Sequence, residues 1–165
     1  MFTGLFSLVQ VFVAMNPEEC TYFANPGSDD KFRKTFCFHW ADKYNNPIND
    51  WNMIAERLLS IPMAHEMIGF YTVADQTDNT LKVMRSYQYY AASKISRRVS
   101  EMKWDDKSIY GGYVWHTTGS GKTMTSFKSA QLIANSKDAD KVVFLMDRIE
   151  PVSYTHLRAH ETSAH

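Results

Sequence analysis

His116-Thr117-Thr118-Gly119-Ser120-Gly121-Lys122-Thr123 is the stretch on which the reading of this chain turns. Gly119 and Gly121 allow the backbone to curl until successive N–H groups point inward, the arrangement that cradles phosphate oxygens. Lys122 supplies a point charge that reaches β- and γ-phosphates, and Thr123 supplies a hydroxyl for Mg²⁺. The flanks supply the context that such a loop needs. Gly112-Tyr113-Val114-Trp115 reads as a short buried strand running into it. Phe127, Ala130, Ile133 and Ala134 recur at helical spacing, so the loop opens a helix whose positive end faces the phosphates. Val142-Val143-Phe144-Leu145-Met146 is a further apolar run, and the spacing predicts a parallel β-α-β unit. The expected nucleotide ligands are Thr118, Gly119, Ser120, Gly121, Lys122 and Thr123.

Working outward, the composition fits a globular α/β chain. At 165 residues there is enough material for one ordinary core, and an aromatic content of 14% argues against disorder. Lys+Arg and Asp+Glu balance at 18 each, so any nucleic-acid footprint has to be local. Cys20 and Cys37 sit in no metal-ligand spacing and suit free thiols in a reducing cytoplasm. Phe2 to Met15 is apolar but has no basic residues before it and is interrupted by Gln10. It is too short to span a bilayer, which favours a core strand over Leu8–Val13 rather than a signal peptide. The expectation is a cytoplasmic protein with no membrane partner.

Between the ends, Asn16-Pro17, the loop Asn25–Asp30 and Asn45-Asn46-Pro47 mark breaks. Lys31 to Trp40 alternates partly as a strand. Asp50 is the expected N-cap of a helix with Trp51, Ile54, Ala55, Leu58 and Leu59 on its apolar face, terminated by Pro62. A short helix from Ala64, an extended Phe70–Val73, a polar connector from Asp75 to Thr80 and a surface turn at Trp104–Lys107 complete this zone. A helix beginning near Gln88 carries Ala91, Ile95 and Val99 on one face, with Lys94, Arg97 and Arg98 on a solvated one. His39 and His65 have no partners at ligand spacing and read as structural.

The general phosphate-loop pattern has glycine at the position of His116, and superfamily 2 helicases and translocases lack it. The form His-Thr-Thr-Gly-Ser-Gly-Lys-Thr resembles the restriction (R) subunit of type I restriction–modification enzymes. Met84-Arg85-Ser86-Tyr87-Gln88 with Ala91 resembles that family's adenine-reading glutamine motif, although Ser86 stands where the family more often has proline. Lys141 to Arg148 resembles its motif Ia, which touches the DNA backbone. Leu5 to Asn16 with Tyr22-Phe23-Ala24-Asn25 resembles the end of its nuclease domain and the connector beyond.

The resemblance implies an α/β fold: the first part of a RecA-like P-loop motor lobe, preceded by the end of a nuclease domain and a connector. The divisions expected are 1–25 for the nuclease edge, 26–80 for the connector, 81–150 for the start of the ATP-binding lobe and 151–165 for a non-native tail. It further implies ATP and Mg²⁺ as cofactors, Gln88 on adenine, Lys122 as the catalytic cation, Thr123 on the metal and Arg148 on DNA phosphate. The implied partners are double-stranded DNA and the modification (methyltransferase) and specificity subunits. An amide offers one donor and one acceptor, which matches adenine N6 and N7 and is the physical reason for a glutamine there. Another superfamily 2 helicase, or a non-catalytic nucleotide-binding fragment, stays open as an alternative.

The acidic strand that holds Mg²⁺, the second-lobe arginine and the acid-plus-lysine set of a restriction nuclease are not found. The chain therefore reads as an internal fragment that is inactive by itself. From Pro151 the family pattern breaks off, and the tail resembles a translated cloning adaptor rather than protein structure. His156 and His160 are spaced like zinc-protease ligands, but such a helix needs Glu directly after the first His, and Leu157 stands there.

Overall fold

The computed structural model of the chain describes residues 2–75, 79–102 and 111–145. Near the N-terminus, strands β1 (Val11–Met15) and β2 (Cys20–Ala24) form an antiparallel hairpin in which Val11 faces Ala24 and Met15 faces Cys20. Asn16 closes its turn, its side-chain oxygen accepting from the N–H groups of Glu18 and Glu19 at 2.8 and 2.7 Å. The expected strand over Leu8–Val13 is displaced: Gly4–Leu8 is a 3₁₀ turn and pairing starts at Val11.

The segment from Lys31 to Trp40 is not a strand. It holds 3₁₀ turns at Asp29–Lys31 and Lys34–Phe36, and Phe38 alone pairs with Tyr22, through reciprocal backbone bonds of 2.9 Å. The Arg33 guanidinium donates to the carbonyls of Asp30 and Phe32, occupying acceptors that a strand would offer to a neighbour.

Helix α1 (Trp51–Arg57) starts as its sequence suggests, with the Asp50 carboxylate accepting from Met53 N at 2.9 Å. It stops before Pro62, which instead lies in the first turn of α2 (Ile61–Gly69), where a missing N–H costs nothing. A second antiparallel hairpin follows, β3 (Thr72–Asp75) with β4 (Thr80–Val83), and leads into α3 (Ser86–Ser100).

The buried cluster unites these parts. Cys20, Tyr22, Trp40, Ile48, Ile54, Leu58, Met67, Tyr71, Val83, Met84 and Ala92 pack together. Tyr22 donates its hydroxyl to the Met84 carbonyl at 3.0 Å, tying the first hairpin to the residue pair that precedes α3. Burial pushes that phenol well above its ordinary pKa. Trp40 meets Tyr22, Tyr89 and Tyr90 at ring separations of 5.9, 5.7 and 6.0 Å, so the first turns of α3 rest on an aromatic floor.

Helix α4 (Lys122–Ser136) packs along α3. Its buried face is Thr125, Lys128, Ser129 and Ile133, rotated from the Phe127–Ala134 stripe that hydrophobicity picks out. Lys128 is 4% exposed, and its ammonium donates to Thr72 O at 3.0 Å and Gln131 Oε1 at 2.7 Å. Neither partner is charged, and desolvation lowers its pKa to about 8. The unfolded chain therefore holds the Lys128 proton where the folded chain has released it. Stability should rise as pH climbs from about 8 towards the ordinary lysine value, with the full penalty in force below 8. Lys128→Met should flatten that slope and add about 1 kcal/mol at neutral pH, since relief of ion burial outweighs two neutral hydrogen bonds. Denaturant melts at pH 7 and pH 9.5 read both effects.

Among the described residues, the parallel β-α-β expected around the loop is not formed. Both sheets are antiparallel two-stranded hairpins. Residues 112–115 and 142–145 carry no strand pairing, and Tyr113, Trp115, Val143 and Leu145 are 90, 88, 86 and 97% exposed. Parallel strands persist inside sheets covered on both faces, and no other described strand lies beside these runs. The broader expectation of a mixed α/β chain holds. Part of the Asp75–Thr80 connector, the Trp104–Lys107 turn, Met146 to Arg148 and the tail from Pro151 lie outside the described residues.

Candidate functional site

The loop from His116 to Gly121 lies between an exposed run and the N-terminus of α4. Gly119 and Gly121 have φ of +77° and +79°, the left-handed region where a side chain is strained. No side chain caps the first turn of α4, so its leading N–H groups stay available, with the helix dipole behind them. The Lys122 ammonium lies 3.3 Å from Thr117 O, folded back on the loop that it would serve. Thr118, Gly119, Gly121, Lys122 and Thr123 are all exposed.

Gln88 is the sequence-predicted residue whose placement is most informative. It is 5% exposed, in the first turn of α3. Its Oε1 accepts from Arg85 N at 2.9 Å, capping the helix, while its Nε2 donates to Ser120 O at 3.1 Å across 32 residues of sequence. A Cβ on Gly121 would stand 2.4 Å from that nitrogen, so a side chain here would push the Gln88 amide out of this position. These two bonds leave Gln88 with one N–H and one oxygen lone pair, the pair of functions needed to match an adenine edge.

Beside Gln88 opens a cavity of about 440 Å³, an ordinary size for a small-molecule site. Gly119, Ser120 and Gly121 form one wall and Phe23, Phe32, Phe36 and Phe38 contribute aromatic surface. Lys31, Arg33, Lys82 and Arg85 line it, and no carboxylate does so among the described residues. The Arg85 guanidinium lies 4.6 Å from the Phe38 ring centroid, while Lys82 pairs with Asp75. A cleft with lysine and arginine side chains between a glycine loop and an aromatic wall suits a flat ring carrying a polyphosphate.

The aromatic and cationic wall was not legible from sequence. Phe32, Phe36 and Phe38 lie in a segment that reads as an ordinary strand; Phe38 is placed by its bridge to Tyr22, and Phe32 packs edge to face on Phe23. Tyr87, adjacent to Gln88, also turns to the loop, its hydroxyl donating to Ser120 O at 2.9 Å. His39 holds Cys20 O at 3.1 Å, a structural role as expected, and both cysteines are free. Among the described residues no cluster of three or more His, Cys, Asp or Glu side chains is arranged to hold a metal, and no helix is long and apolar enough to cross a membrane.

Known proteins match this chain across both the hairpins and the loop. The type I restriction enzyme endonuclease subunit of Staphylococcus aureus strain COL is 40% identical over 154 residues, which is 93% of this chain and 16% of that protein. The chain is homologous to type I restriction endonuclease subunits. The corresponding subunit of Staphylococcus saprophyticus is 39% identical over 154 residues, with the same coverage of 93% and 16%. The C-terminal part of a putative type I restriction enzyme endonuclease subunit from Mycoplasma pneumoniae is 36% identical over 113 residues, 66% of this chain and 54% of that protein. The SWI2/SNF2 ATPase family model matches residues 87–157, a span that starts at Tyr87 and takes in the glycine loop and α4. The chain spans 16% of the length of the first of these restriction subunits.

Proposed function

We propose that this segment is the nucleotide-gripping part of the motor in a type I restriction endonuclease subunit, binding ATP with Mg²⁺. The observation that carries the reading is the contact between Gln88 and Ser120, which brings a base-reading amide against a phosphate loop. The residues fit the ligand. The free N–H groups of Gly119, Gly121, Lys122 and Thr123 and the Lys122 charge are suited to a triphosphate, the Thr123 hydroxyl to Mg²⁺, and Gln88 to adenine. Mg²⁺, when bound, neutralises charge that develops on the phosphates. Thr118 and Ser120 shape the loop around them.

In the complete subunit, ATP hydrolysis would draw double-stranded DNA past the modification and specificity subunits, in the cytoplasm, and lead to its cleavage. Residues 1–25 would be the edge of a nuclease domain, 26–80 a connector, 81–150 the start of the ATP-binding lobe, and 151–165 a non-native tail. The exposed runs at 112–115 and 142–145 would enter a parallel sheet completed by strands that a longer chain supplies. Arg148 would hold DNA phosphate without reading bases.

Because Gln88 also anchors Ser120, its loss should weaken every nucleotide, and the base role appears only as a difference. Wild type should bind ATP more tightly than GTP, since guanine offers two acceptors where adenine offers a donor and an acceptor. In Gln88→Ala that preference should shrink by roughly tenfold. Calorimetric titration of both nucleotides measures it, and equal losses for ATP and GTP would reject the adenine role.

A further inference from the structure

Ser120, in the middle of the phosphate loop, is held by each of its polar atoms. Its carbonyl accepts from two donors on the first turn of α3, Tyr87 Oη at 2.9 Å and Gln88 Nε2 at 3.1 Å. Its hydroxyl donates to Thr117 O at 2.8 Å and lies 3.2 Å from His116 Nδ1. One hydroxyl hydrogen cannot serve both acceptors, so the consistent count has His116 Nδ1–H donating to Ser120 Oγ. Its N–H reaches Thr117 O at 3.4 Å. The rings of Tyr87 and His116 meet edge to face, 5.9 Å apart at 76°, closing the two sides over Ser120. His116 thus brings a side-chain grip to the position where the general loop pattern has glycine.

We propose that Tyr87 and His116 are positioning residues that hold the phosphate loop in its nucleotide-accepting shape through Ser120, before any nucleotide arrives. Such a clamp lowers the ordering cost of binding. It acts on the loop and not on the base, so its contribution is the same for any ligand that carries the polyphosphate. This rests on the nucleotide-binding reading above and extends it to residues that touch neither phosphate nor adenine.

The test uses the 165-residue chain with Mg²⁺ and three probes, ATP, GTP and tripolyphosphate. Tyr87→Phe keeps the ring contact and removes the hydroxyl, and should raise the Kd of all three by the same factor, about three- to tenfold. His116→Ala should do likewise. His116→Asn, whose amide can still donate towards Ser120 Oγ, should recover most of that loss. Unchanged affinities in Tyr87→Phe and His116→Ala, or a loss confined to ATP, would overturn the clamp. So would a uniform loss that tracks a fall in melting temperature and is not rescued by His116→Asn, since that pattern reports general damage to α3. If wild type binds none of the probes, the phosphate-loop reading fails and takes the clamp with it. Tight binding by wild type that neither variant alters removes the clamp alone.

Discussion

Gly121→Ala should raise the Kd for Mg·ATP by roughly 100- to 1,000-fold while leaving the fold intact. Two independent costs meet at this residue. A φ of +79° is strained for any residue with a Cβ. The new methyl would also sit 2.4 Å from Gln88 Nε2, so the amide must swing away from Ser120 and from its base-reading position. Gly119 provides the control, because its φ is +77° but nothing lies within 4 Å of the point that a Cβ would occupy. Gly119→Ala should therefore carry the strain alone and weaken binding by roughly tenfold. The free chain carries that strain too, so each variant should melt about 2–4 °C lower without losing its fold. Equal losses at the two glycines would mean that the Gln88 approach contributes nothing.

Lys122→Ala should abolish ATP hydrolysis in a full-length subunit that carries this segment. Removing a single preorganised charge from developing phosphate charge costs about 10²–10³ in rate, before any loss of binding is counted. The side chain is exposed and makes one 3.3 Å contact with Thr117 O, so its removal leaves no buried group unsatisfied. Activity should fall without a change in stability, the signature of a residue kept for chemistry. Near-normal hydrolysis with normal folding would dismiss Lys122 as the catalytic cation.

How much of this was readable in the sequence depends on the range of the interactions concerned. Local signals held. Asp50 caps α1, Asn16 closes the first hairpin, and the glycine loop opens a helix at Lys122. Gln88, singled out by its motif, lies against the loop. Each of these depends on neighbours a few residues away or on a short motif with fixed chemistry.

Long-range pairing was not readable. Residues 112–115 and 142–145 have the apolar runs of buried strands, yet a strand needs a partner, and apolarity does not say where that partner lies. The run from Lys31 to Trp40 alternates well enough to suggest a strand, but Arg33 satisfies nearby carbonyls and the segment coils into turns. As a result, the aromatic side of the cavity, with Phe36 and Phe38, comes from a region that offered no functional signal. Lys128 shows the same limit on a helix: periodicity places it away from the apolar stripe, whereas packing against β3 buries it. The clasp on Ser120 was hidden for another reason. Tyr87 and His116 are common residue types, and only their meeting in space gives them a role.

At the centre of the proposed function, polyphosphate sits on the N–H groups at the start of α4 while Gln88 meets the base. Titration of Mg·ATP into the isotope-labelled chain, followed amide by amide in NMR spectra, tests this most directly. Saturable shifts are expected, concentrated on the backbone amides of Gly119 to Thr123 and on the Gln88 side-chain amide. Tripolyphosphate should move the loop amides without the base-dependent part of the Gln88 shift. Saturable shifts that cluster elsewhere, with the loop amides unmoved, would contradict this placement of the nucleotide.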